Sequence, residues 1–214
     1  MSLIYILILF FAFLTVETKN LKASIISLIL HSIFLTFSVF SVGYINSISS
    51  FYLIGFLDLL VRVFLIPLIL FRSLKNRATT ETKPYISYPL SIALSIVILS
   101  VFYHLLEVYK SLSLPQLLES FSCGVTLFIY GLYPLFSKKD LIKIVISFVI
   151  IENGIHIFLI SILPYLSKFI EISLTFNYLV AIFFFAYIVF KINEISLKEE
   201  LQKLKETVYK ETNE

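Results

Sequence analysis

Two pairs of ionisable residues, each spaced four apart, interrupt long apolar stretches of the chain. Glu152 and His156 lie inside Leu141–Leu163, and Asp58 and Arg62 lie inside Phe51–Phe71. A spacing of four puts both members of a pair on one helical face. Ionisable groups at bilayer depth are expensive and mark functional or mutually compensated positions. Glu152 is roughly 16 Å along a helix from Leu141, near the middle of a bilayer core. An acid and an imidazole within reach of each other can accept and release a proton at physiological pH. The competing structural reading is a neutral acid hydrogen-bonded to a neighbouring helix, with Gly154 permitting close approach. Lys143, the other charged residue of that stretch, is roughly 13 Å away along the axis, so the helix itself offers Glu152 no cation close enough to fix it as an anion. The guanidinium of Arg62 is permanently charged; burial demands a counter-ion, and Asp58 is the nearest one in sequence. That pair is either a self-neutralised structural element or one that tunes an ion path.

Ser24, Ser27, His31 and Ser38 recur at spacings of three, four and seven, a polar seam of the kind that packs membrane helices. His31 falls near mid-membrane and is a further candidate for a polar route. His104 and Glu107 sit toward the end of their apolar stretch, where water solvates them. The three histidines lie on three different stretches, which leaves a haem-binding membrane subunit as a minor alternative. Cys123 stands alone, so an internal disulfide and a cysteine-ligated cluster are excluded. It is read as a small packing residue. No phosphate loop, GxGxxG turn or nucleophile elbow is present.

The elements that must hold these residues are membrane helices. The 214 residues are 59% hydrophobic, with mean hydropathy +0.97, more apolar surface than a soluble domain of this size can bury. Long runs without period-two alternation favour helices over a β-barrel. The sequence predicts seven spans: about Ser2–Val16, Ala23–Val42, Phe51–Phe71, Tyr88–Val108, Leu114–Phe136, Leu141–Leu163 and Phe169–Phe190. The first is short. Met1-Ser2-Leu3-Ile4 lacks the positive region of a secretory signal, so it is read as part of a retained span. Of 17 Lys and Arg residues, only Lys110, Lys168 and the intramembrane Arg62 fall outside one set of alternate loops plus the tail. The positive-inside rule then predicts an external amino terminus and a cytoplasmic carboxyl terminus, and supports an odd number of spans. Pro67, inside the third span, leaves the Val63 carbonyl without its helical donor and predicts a kink. Residues 1–192 thus form the transmembrane domain. Residues 193–214 form a Glu/Lys-rich tail in which Leu197, Leu201, Leu204 and Val208 mark one face of a short amphipathic helix.

Ile151-Glu152-Asn153-Gly154-Ile155-His156, together with Arg62-Val63-Phe64-Leu65-Ile66-Pro67 and the closing Phe190-Lys191-Ile192, resembles component E of hydrogenase-4. That family comprises seven-span membrane subunits of formate hydrogenlyase-type, group 4 nickel–iron (NiFe) hydrogenases, and the resemblance extends over nearly the whole chain. It implies that residues 113–192 are similar to the small K-type membrane subunit of complex I and to its small C-type counterpart in multi-subunit Na⁺/H⁺ antiporters. The family's intramembrane acid falls on Glu152 and its basic residue on Arg62. A further acidic position falls on Asn177, where asparagine can hydrogen-bond but not exchange a proton near neutral pH. The path then runs from Glu152 through His156 and water, or the subunit is mainly architectural.

The resemblance implies a non-catalytic subunit of the plasma membrane that anchors a complex I-related hydrogenase and contributes part of a proton or cation path. It has no cofactor of its own; the NiFe and iron–sulfur centres belong to soluble hydrogenase subunits. Antiporter-like membrane subunits and the lipid bilayer are the other partners, and no nucleic acid is expected. A stand-alone secondary transporter is the main alternative, although no inverted repeat or broken helix supports it.

Overall fold

A computed structural model describes residues 2–74, 79–109, 115–162 and 187. Long apolar runs with few glycines satisfy their backbone groups internally, and the regular secondary structure of the described residues is helical apart from one isolated bridge. Helix α1 spans Ser2–Glu17 and α2 spans Leu21–Asn46. A continuous rod over Ser50–Leu74 consists of α3 (Ser50–Asp58), a π-helical segment (Leu59–Leu65) and α4 (Ile66–Leu74). Then follow α5 (Tyr88–Tyr109), α6 (Pro115–Ser137) and α7 (Leu141–Ile162). Among the described residues five segments are long and apolar enough to cross a membrane: Leu21–Asn46, Ser50–Leu74, Tyr88–Leu106, Leu118–Ser137 and Leu141–Ser161. The protein is a multi-span α-helical membrane protein. Apart from residue 187, the seventh predicted span and the charged tail lie outside the described residues.

The short α1, about 24 Å long, is the hub of the bundle. It packs against α2, α5, α6 and α7, and Tyr5, Ile8, Ala12, Thr15 and Val16 are buried. Asn20 caps α2, its side chain accepting from the Lys22 and Ala23 amides. At the other end α2 runs to Asn46, four residues beyond the predicted Val42. It stops at Ser47, whose left-handed backbone (φ 56°) lets the Ile48 amide turn back to the Gly43 carbonyl.

Two local features set the site. The first is the π segment ahead of Pro67. Pro67 has no N–H to give the Val63 carbonyl, and Ile66 donates five residues back, to Val61. The expected disturbance therefore takes the form of a widened turn, and it carries Arg62. The second is the packing of α6 on α7. A Cβ added at Gly154 would sit 2.5 Å from the Phe128 amide nitrogen, and one at Gly124 2.6 Å from that of Phe158. Backbones this close fix the rotation of α7 about its axis, and with it the direction of the residues flanking Gly154. Large apolar side chains such as Leu53, Phe56, Phe64, Leu68 and Val97 point outward, as lipid contact requires.

Candidate functional site

The two ionisable pairs meet. Arg62, 1% exposed, lies between Asp58 on its own rod and Glu152 on α7: Nε is 2.6 Å from Asp58 Oδ1, and Nη2 is 2.6 Å from Glu152 Oε1. Nη1 donates to Asn153 Oδ1. His156 Nε2 is 3.0 Å from Asp58 Oδ2, and both side chains are fully buried. Asp58 thus takes Arg62 on one oxygen and His156 on the other. Glu152, with 15% of its side chain exposed, is the member nearest the surface.

The geometry adds to the sequence reading of Glu152, whose own helix offers no close cation. Its cation does not come from its own helix but from Arg62, 90 residues away in the chain. His156, on the same helix face, has its Nε2 on Asp58. The Asp58–Arg62 pairing stands as expected, with Arg62 shared between two acids. Counting charges, two carboxylates face one guanidinium. Taken by themselves, these four residues are neutral only when they hold one further proton, on Asp58, Glu152 or His156, and a net charge in a low-dielectric bundle is costly.

His31 is fully buried on α2, close enough to Arg62 to feel its charge. Its Nδ1 is 2.9 Å from the Ile8 carbonyl. A carbonyl only accepts, so Nδ1 carries the hydrogen and Nε2 is the basic nitrogen. Nε2 has no hydrogen-bond partner among the described residues. Ser24 and Ser38 of the predicted seam are buried, and Ser27 is half-buried. His104 is exposed on α5, and Cys123 is a buried free thiol. Asn177 lies outside the described residues.

A second buried network, which spacing along the sequence does not reveal, closes the end of the bundle where α1 stops. Glu17, the last residue of α1, accepts hydrogen bonds from Ser91 (2.7 Å) and Ser95 (2.7 Å) of α5 and pairs with Lys138 at 3.3 Å. Tyr133 donates to Ser91 at 2.6 Å. Lys143 Nζ is ringed by the Thr15, Val16 and Thr18 carbonyls and by Ser24 Oγ, at 2.5–2.9 Å. The amine there donates to carbonyls at the end of α1, of which Thr15 and Thr18 also accept from Ser24 Oγ, and it complements the helix dipole. Residues 79–87 strap across this end and add Glu81, 3.7 Å from Lys138. Lys138 reads in the sequence as a loop cation and Lys143 as a cation just inside its helix, but both are buried. The one sequence signal was an acid, Glu17, closing an apolar stretch, with a lysine two residues inside another.

Among the described residues no three His, Cys, Asp or Glu side chains gather as a metal site; the centre of the mid-bundle network is taken by Arg62. What the arrangement can do chemically is hold and pass a proton. Compared with protein-family models, curated proteins and solved structures, the chain shows no match in any of the three.

Proposed function

We propose that this chain is a non-catalytic membrane subunit whose Asp58–Arg62–Glu152–His156 network carries one exchangeable proton of a translocation path. The observation that supports it is the charge count: two acids on one guanidinium, with a histidine on the acid farther from the surface. Arg62 holds Asp58 and Glu152 in one electrostatic unit, so a proton taken up at the partly exposed Glu152 changes the balance at the fully buried Asp58–His156 contact.

The assembly we propose is the one the sequence motif implies, a complex I-related group 4 hydrogenase or oxidoreductase of the plasma membrane. The metal centres lie in soluble partners, antiporter-like subunits lie alongside, and the chain crosses the membrane seven times with its carboxyl terminus in the cytoplasm. The resemblance and the cation asymmetry support this part; the charge count supports the proton chemistry independently of it.

Glu152→Gln tests the reading. Gln keeps size and hydrogen bonding, and Asp58 and Arg62 then neutralise each other with no further proton required. The complex should assemble and keep its redox activity, while proton uptake by inverted vesicles falls severalfold. His156→Ala should give a weaker version of the same defect. Undiminished uptake with Glu152→Gln would leave the residue a packing group and end the proposal.

A further inference from the structure

The strap over residues 79–87 is fastened by main-chain hydrogen bonds to three places. Leu21 donates to Thr79 (2.8 Å) and Glu81 to Lys19 (2.9 Å), a one-residue antiparallel bridge between Asn20 and Thr80. Farther on, Tyr85 donates to the Ser137 carbonyl (3.0 Å) at the end of α6. Extended backbone alternates its side chains. Thr80 and Thr82 accordingly face outward, and Glu81 between them turns in, its side chain 0% exposed. The strap buries two residues, Glu81 at this bridge and Pro84 beyond it, and the one at the bridge is an acid.

The other three charges of the network are firmly held. Glu17 has two serine hydroxyls and Lys138, and Lys143 has four oxygens. Glu81 has Lys138 at the loose distance of 3.7 Å. Every packed element presents charge or a hydroxyl to it: Glu17 from α1, Tyr88 from α5, Lys138 and Asp140 from the α6–α7 turn, and Lys143 from α7. Lys19 lies over the Tyr88 ring at the rim.

We propose that Glu81 is a proton-exchange site at this end of the bundle, and that the strap which buries it is the door between the site and water. Opening the strap lets the carboxyl release one proton to water; closing takes one up. Burial raises the Glu81 pKa, Lys143 and Lys138 oppose the rise, and Asp140 and Glu17 add to it. The closed strap therefore favours the protonated acid. Its stability is greatest below the ordinary glutamate value of about 4.3 and is lost as pH rises to the elevated one. The site also faces inward. Lys143 touches Ser24 on α2, and His31 stands seven residues further along α2, roughly 10 Å and two turns away on nearly the same face. The two networks are thus joined by one polar helix face.

This assignment deepens the proton-transfer reading and rests on it for its role in transport, but the site can be read on its own. The measurement is amide hydrogen exchange of the full chain in lipid nanodiscs between pH 4 and pH 8, corrected for intrinsic exchange rate. Protection of the Glu81 and Tyr85 amides should fall by up to tenfold per pH unit from the ordinary carboxyl range to the raised value, then level off. Glu81→Gln should remove that dependence. Lys138→Met, which removes a cation opposing the rise, should move the levelling point to higher pH. Glu152→Gln, in the other network, should leave the profile unchanged. Wild-type protection independent of pH, a Glu81→Gln profile like wild type, or a downward shift with Lys138→Met would each overturn the proposal. None of these results would touch the vesicle measurement on Glu152.

Discussion

Arg62→Met isolates the interaction on which the central network depends. The guanidinium makes two ion pairs of 2.6 Å and a hydrogen bond to Asn153 from a position 1% exposed. Removing one partner of a buried pair typically costs about 3–5 kcal/mol, mostly because the remaining charge is stranded. Here the loss should lie toward the lower end. Glu152 is 15% exposed and regains some water, and stranded acids can be neutralised by taking up protons. The triple change Asp58→Asn, Arg62→Met, Glu152→Gln removes every stranded charge. It forfeits only interhelical hydrogen bonds worth about 0.6 kcal/mol each on average in membranes, so it should lie within about 1–2 kcal/mol of the parent. The acid pair Asp58→Asn, Glu152→Gln alone strands the guanidinium at a further cost of about 3–5 kcal/mol, so the coupling between Arg62 and its two acids is about 4–7 kcal/mol. Reversible unfolding in lipid–detergent micelles titrated with dodecyl sulfate, followed by circular dichroism, measures all four corners of the cycle. If Arg62→Met costs the same with the acids present as with both neutralised, the residues are not partners and the charge count loses its basis.

Gly154→Ala should destabilise the α6–α7 pair by about 1–3 kcal/mol, since the added Cβ meets main chain that cannot rotate aside; the same titration checks it. Lys143→Met should leave three carbonyls at the end of α1 without their ammonium and lower stability by about 2 kcal/mol or more, whereas Lys139→Met, an exposed neighbour, should change little. Cysteine accessibility labelling should place Lys83 and Lys110, which flank α5, on opposite faces of the membrane; labelling both from one side would remove the basis for the alternating topology.

Hydropathy and spacing located most of what is visible here. The six apolar stretches that the described residues cover coincide with helices within a few residues, because in lipid each helix satisfies its own backbone and its length follows the bilayer. The i, i+4 rule placed Asp58 beside Arg62 for the same local reason. Pro67 showed that its rod would be disturbed, though not that a π turn would absorb it and swing Arg62 toward α7. Local rules stop at the boundary of a single helix. That Arg62 serves Glu152, that His156 meets Asp58, and that Lys138, Lys143, Glu17 and Glu81 form one buried network all depend on how helices are rotated against one another. That rotation is set by contacts such as Gly124 on Gly154, between residues far apart in sequence, whose energies are legible only when the backbones are already side by side. The sequence by itself determined a helical membrane protein carrying costly intramembrane charges; tertiary packing alone decided which charge compensates which, and so where a proton can be held.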